Sequence, residues 1–133
     1  VKFARVDRAA AEAFISRMVG NPKWDWSAGV LGVADILDGG ETFAAVDDAG
    51  RPTVVFVLHK VDYVGGRELV VRAALQVGKG GNLVESVLPE IERVFGDDCA
   101  AVTIYTKRAG LVRKLEKAGY GDQATIVRKK LKC

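Results

Sequence analysis

The period of apolar and polar positions changes several times along the chain, and each change predicts an element. The stretch KFARV alternates apolar and basic residues as a short strand does. Asp7 then stands as an N-cap before RAAAEAFISRMVG, where Phe14, Ile15 and Met18 give a helix one apolar face and Gly20 ends it. Between 21 and 40 the pattern weakens, and Pro22 with scattered glycines predicts a loop, a short helix near 27–37 and a flexible exit. Two β-rich runs in ETFAAVDDAGRPTVVFVLHKV flank Asp-Asp-Ala-Gly-Arg-Pro, which has turn chemistry throughout, so the segment reads as a hairpin. DYVGGR makes the next turn and ELVVRAALQV the third strand of a meander.

The following helix is better defined. Leu83, Val84, Val87, Leu88, Ile91, Val94 and Phe95 fall on one face at helical spacing, with Glu85, Glu90, Glu92 and Arg93 opposite. Pro89 lies inside it, yet the stripe stays in phase across the proline, which predicts one kinked helix rather than two. CAAVTIYT is a buried strand, and strand, helix and strand make a right-handed parallel βαβ crossover. RAGLVRKLEKAGY is a short helix stopped by Gly119, and QATIVRKKL a closing strand. The order is that of a single α/β domain over residues 1–133, whose mixed sheet is an antiparallel meander plus a parallel βαβ unit, flanked by helices.

Composition narrows the class. With 133 residues, 49% hydrophobic and 28% charged, the chain can bury a core, and no apolar run approaches the roughly 18 residues of a membrane span. The N-terminal stretch is too broken by charge for a signal peptide, so a cytoplasmic protein is expected. Cys99 and Cys133 lack metal-site spacing and read as free thiols. A net charge of +3 permits an anionic ligand without requiring nucleic acid.

The chemistry centres on LQVGKGGNLV, where a strand end runs through Gly78, Lys79, Gly80 and Gly81 into the long helix. Helix-start amides lack intrahelical partners and favour an anion, glycines let it approach, and Lys79 adds charge. The same glycines also make a tight corner. Two familiar phosphate motifs fail here. The mononucleotide loop needs Ser or Thr after Gly-Lys and finds Gly80, and the dinucleotide fingerprint needs a glycine where Leu83 stands.

The element order, the glycine turn after the third meander strand, and LVRKLEKAGY with its Gly119-Tyr120 pair resemble the GCN5-related N-acetyltransferase (GNAT) family, including its small phage-encoded relatives. The resemblance spans nearly the whole chain on degenerate motifs. It implies that the amides of Val77, Gly78, Lys79, Gly80, Gly81, Asn82 and Leu83 hold the pyrophosphate of acetyl-CoA. It places the basic edge of Arg108, Arg113, Lys114 and Lys117, which a solvated helix face explains equally well, near the nucleotide, and the pantetheine arm between splayed parallel strands. The family's thiolate-protonating tyrosine is replaced by Leu115, leaving Tyr105 as the substitute, and the tail after Gly121 is short for the family's two final strands.

Transfer to an amine needs the amine neutral at attack. In ELVVRAALQ, Leu69, Val71, Ala73 and Leu75 share one face and Glu68, Val70, Arg72, Ala74 and Gln76 the other. Glu68 and Arg72 therefore either pair with each other or look into a cleft, and the resemblance makes Glu68 the first candidate base. His59 reads as a satisfied strand histidine, and Trp24 and Trp26 as core packing or an apolar wall for the acceptor. The expected activity is acetyl-CoA-dependent N-acetylation of a small-molecule or protein amine, without a metal and with a homodimer allowed. The alternatives are an inactive acetyltransferase-like interaction or structural module and, third, a nucleic-acid binder carried only by the basic edge and VRKKLKC.

Overall fold

The computed structural model describes residues 1–121 and 124–131. Its elements are β1 (Lys2–Arg5), α1 (Arg8–Ile15), α2 (Val33–Leu37), β2 (Glu41–Val46), β3 (Pro52–Tyr63), β4 (Gly66–Gln76), a π-helical turn (Leu83–Val87) leading into α3 (Leu88–Phe95), β5 (Ala101–Ile104) and α4 (Ala109–Lys117). One sheet has the order β1-β2-β3-β4-β5. Its pairs are antiparallel except β4 and β5, which run parallel through the crossover helix. The mixed sheet is the one expected. No helix among the described residues is long and apolar enough to cross a membrane.

Two apolar clusters sandwich the sheet. On one face Val54, Phe56, Leu58, Leu69 and Val71 meet Val84, Val87, Leu88 and Ile91 of the π-turn and α3, and Leu115 of α4. On the other, Val57, Ala73 and Leu75 meet Ala11, Ile15 and Met18 of the α1 region and Ile36 and Leu37 of α2. Asp7 caps α1 as expected, its carboxylate accepting from the Ala10 amide at 2.9 Å.

Membership of these clusters corrects the strand alternation read from β4. Leu69 and Val71 lie on the α3 face but Ala73 and Leu75 on the α1 face, because the β3–β4 register steps from Val57↔Ala73 to Leu58↔Val71 and leaves Arg72 as an extra residue. A β-bulge of this kind inverts the facing of everything beyond it.

Pro89 is accommodated as a change of helix type. Its ring would collide with the carbonyl four residues earlier, and it has no amide to give that carbonyl. The wider turn before it avoids both problems, with the Val87 amide reaching the Asn82 carbonyl at 3.0 Å and the Leu88 amide reaching that of Leu83. Two other expectations shorten. The helix foreseen near 27–37 is only Val33–Leu37, and the strand foreseen from Cys99 only Ala101–Ile104, with Cys99 half-buried ahead of it.

The closing strand at 123–131 is not found in its described part. Residues 124–131 join no sheet, and Ile126, Val127 and Leu131 are exposed. Strand propensity alone does not form a strand, and the outer edge of β5 takes no partner among the described residues. Cys133 lies outside the described residues.

Candidate functional site

The ladder between β4 and β5 spans only Glu68↔Ala101 to Val71↔Ile104. Beyond it β4 continues to Gln76, while the chain after Ile104 turns away into α4, so the strands part and leave a cleft of about 340 Å³. Its β4 wall is Arg72–Ala74 with Gln76, and its far wall is Ile104–Thr106 with Arg108, Gly110, Leu111 and Lys114. Gly81, Asn82, Leu83 and Val84 stand at one end, and Met18, Trp24 and Trp26 line it from the α1 side. The fork begins at the bulge. There the freed carbonyl of Arg72 accepts from the Trp26 indole N–H at 3.2 Å, and the indole stacks on Tyr105 with ring centroids 4.7 Å apart.

At the helix end the amides divide into two sets. Those of Val77 and Gly78 are already committed, both donating to the Thr53 carbonyl at 2.9 and 3.2 Å. Asn82 is the N-cap, and its side-chain oxygen accepts from the Glu85 amide at 3.0 Å. The amides from Lys79 to Asn82 and those of Leu83 and Val84, the first two helical residues, bond no described residue, and the last two stand at a helix start whose dipole favours an anion. The glycines serve the corner as well. A Cβ on Gly78 would stand 2.6 Å from the Pro52 carbonyl oxygen and one on Gly81 2.8 Å from Val54, while Gly80 has φ +85°. These contacts make the turn a tight corner, and the helix start that follows it keeps its first amides open.

The predicted residues fall out as follows. Gly81, Asn82, Leu83 and Tyr105 line the cleft, whereas Val77, Gly78, Lys79 and Gly80 lie in the turn behind it. Arg113 is exposed on α4 outside the lining, and its neighbours Arg108 and Lys114 are in it. Glu68 does not pair with Arg72. Its carboxylate accepts from the Thr103 hydroxyl at 2.9 Å, at the closed end of the fork. His59 is buried with Nε2 2.7 Å from the Ile36 carbonyl, the satisfied role expected for it. Leu115 is core, and Tyr120 ties α4 to α3 by donating to Glu92 at 2.9 Å. Burial, then the Glu92 carboxylate, pushes the Tyr120 hydroxyl well above the ordinary phenol range, which keeps it protonated and donating to Glu92.

Sequence reasoning missed Asp25 and the part played by Arg72. Asp25 is buried, and it organises 20–29 by accepting from the amides of Gly20 (2.6 Å), Ser27 (2.9 Å) and Gly29 (2.9 Å) and from the Ser27 hydroxyl (2.6 Å). That loop carries Trp24 and Trp26 to the cleft. The Asp-x-Ser spacing was its only signal, and a common one.

No protein-family model and no curated protein sequence matches the chain. Solved structures do. A transcriptional regulator from Bacillus halodurans C-125 superposes with a TM-score of 0.65 at 13% identity, over 98% of this chain and 99% of that one. A GNAT family acetyltransferase of Staphylococcus aureus subsp. aureus USA300_TCH1516 gives 0.56 at 12% identity, over 98% of each chain. AAC(6')-Iy in complex with the bisubstrate analogue CoA-S-monomethyl-acetylneamine gives 0.60 at 12%, over 99% of this chain and 98% of that one. With its meander, bulged β4, parted parallel strands and crossover helix, the chain has the fold of the GNAT acetyltransferases.

Proposed function

We propose that the protein is an acyl-CoA N-acyltransferase that uses acetyl-CoA and acetylates an amine by direct transfer. The observation that carries this reading is the open fork between β4 and β5 with unpartnered helix-start amides at its end. The amides of Leu83 and Val84, with Lys114 and Arg108 beside them, bind the pyrophosphate. Toward β5 the backbone of Ala73–Gln76 has no partner strand and lies along the pantetheine arm. When bound, the thioester supplies an activated acyl carbon. The amine nitrogen forms a bond to that carbon as the carbon–sulfur bond breaks, and the sulfur leaves with the bonding pair.

Tyr105 is the phenol in the cleft; it gives its proton to the departing thiolate and regains one from water. Tyr105→Phe should lower kcat about tenfold, a modest general-acid effect because a thiolate is already a fair leaving group, with little change in acetyl-CoA affinity. The amine passes its own proton to water. Glu68 is about 13 Å of strand away from Arg72, and Thr103 holds its carboxylate. Glu68→Gln is therefore expected to change kcat less than about threefold, whereas a general base is worth roughly 100-fold or more. A drop of that size would restore Glu68 as the base.

The first test is calorimetric titration with acetyl-CoA, where micromolar binding is expected. No heat at millimolar ligand would overturn the reading. One observation favours an inactive binding module: among the described residues lining the cleft there is no Asp, Glu or His. Acetyl-CoA binding without thiol release for any amine offered would select that alternative.

A further inference from the structure

Among the described residues Arg72 is a half-buried charge with no partner for its side chain, its guanidinium having neither an ion pair nor a hydrogen bond. It sits in the β4 bulge, in the cleft wall. The nearest acid along the strand face, Glu68, is occupied by Thr103, and the cleft lining is cationic, with Arg72, Arg108 and Lys114 and no described carboxylate. Partial burial of an unpaired charge is costly, and a fold keeps it most economically where an anion arrives from outside.

That anion is not the coenzyme's phosphate. The unpartnered amides stand past Gln76, at the far end of the β4 wall, while Arg72 marks the apex of the fork beside Trp26 and Tyr105. About 13 Å of strand separates Arg72 from Gln76. Resting on the acyltransferase reading, we infer that the acceptor is an amine carrying a carboxylate, an α-amino acid or a close analogue, whose carboxylate docks on the Arg72 fork. Met18, Trp24 and the Trp26–Tyr105 stack supply an apolar surface on the α1 side, which suits an apolar or aromatic side chain. Polycationic amines meet the Arg72 guanidinium and no described carboxylate in the lining, and are poor acceptors.

The test measures thiol release from acetyl-CoA with apolar and aromatic α-amino acids, their methyl esters and a linear triamine. A bidentate guanidinium–carboxylate pair predicts acids over esters by about 10- to 100-fold in kcat/KM. In Arg72→Gln that ratio should fall to near one through a raised KM for the acids, and Arg72→Lys should restore part of it. Acetyl-CoA affinity by calorimetry should match the parent in both variants, which separates a lost acceptor site from a damaged fold. Equal use of acids and esters, preference for the triamine, silence with every carboxylate-bearing amine, or weakened acetyl-CoA binding in Arg72→Gln would each overturn the inference. If acetyl-CoA does not bind the parent, the acyltransferase reading fails first and this one with it.

Discussion

Asn82→Asp is expected to bind acetyl-CoA about 100-fold more weakly than the parent while melting at the same temperature or slightly higher. The two side chains have the same shape, and the aspartate would cap the Glu85 amide as Asn82 does, with the helix dipole favouring its charge. Nothing in the fold opposes the change. The added carboxylate would stand at the helix start, beside the open amides of Leu83 and Val84. Two like charges about 5 Å apart at an effective dielectric near 20 repel by roughly 3 kcal/mol, which is two orders of magnitude in affinity. The loss should shrink as salt is raised. Unchanged affinity would place the pyrophosphate elsewhere, and a lowered melting temperature would mean that Asn82 does more than cap.

The fold was legible where apolar periodicity decides structure. The stripe from Leu83 to Phe95, Val94 excepted because it is exposed, the meander and the crossover each follow from burying one face, and the GNAT resemblance rested on their order. The site was legible only in part, because its features arise where periodicity is broken. One extra residue, Arg72, inverts the facing of Ala73 and Leu75, and with apolar residues on both faces beyond it no change of alternation marks the step. That shift separates Arg72 from Glu68, the pair that simple alternation joins. Pro89 announced a kink but not its form, since whether a helix bends or takes a π-turn depends on the carbonyls around it. In the glycine turn the sequence placed the amides, but which of them Thr53 takes is a tertiary fact. The tail shows the opposite failure, strand composition that in residues 124–131 pairs with neither edge of the sheet.

Asp25→Ala should be the most destabilising change among the polar residues, by about 3 kcal/mol, with a melting temperature lower by roughly 10 °C. The carboxylate is 2% exposed and answers four donors, three of them backbone amides that no other described group bonds. Ser27 is buried, and leaving its amide and hydroxyl unpaired costs about 1–3 kcal/mol each, whereas Gly20 and Gly29 are exposed and water replaces part of their loss. Asparagine is no remedy. Gly20 and Gly29 both donate to one carboxylate oxygen and Ser27 donates twice to the other, so an Asn amide nitrogen on either side would face two donors. Burial alone would raise the Asp25 pKa, but the Ser27 hydroxyl and the Gly20, Ser27 and Gly29 amides outweigh it and hold the group below its ordinary value of 3.8. A depressed folded-state pKa stabilises the protein above the unfolded value, and that contribution is lost as pH falls through the folded one. The gap between parent and Asp25→Ala should therefore be constant near neutrality and narrow only below about pH 4. Because the loop carries Trp26 onto Tyr105 and the Arg72 carbonyl, the near-ultraviolet circular dichroism of the stacked pair should weaken along with stability, and acceptor use should fall before acetyl-CoA binding does. A variant that melts with the parent and keeps that signal would show that the four bonds do not hold the cleft wall.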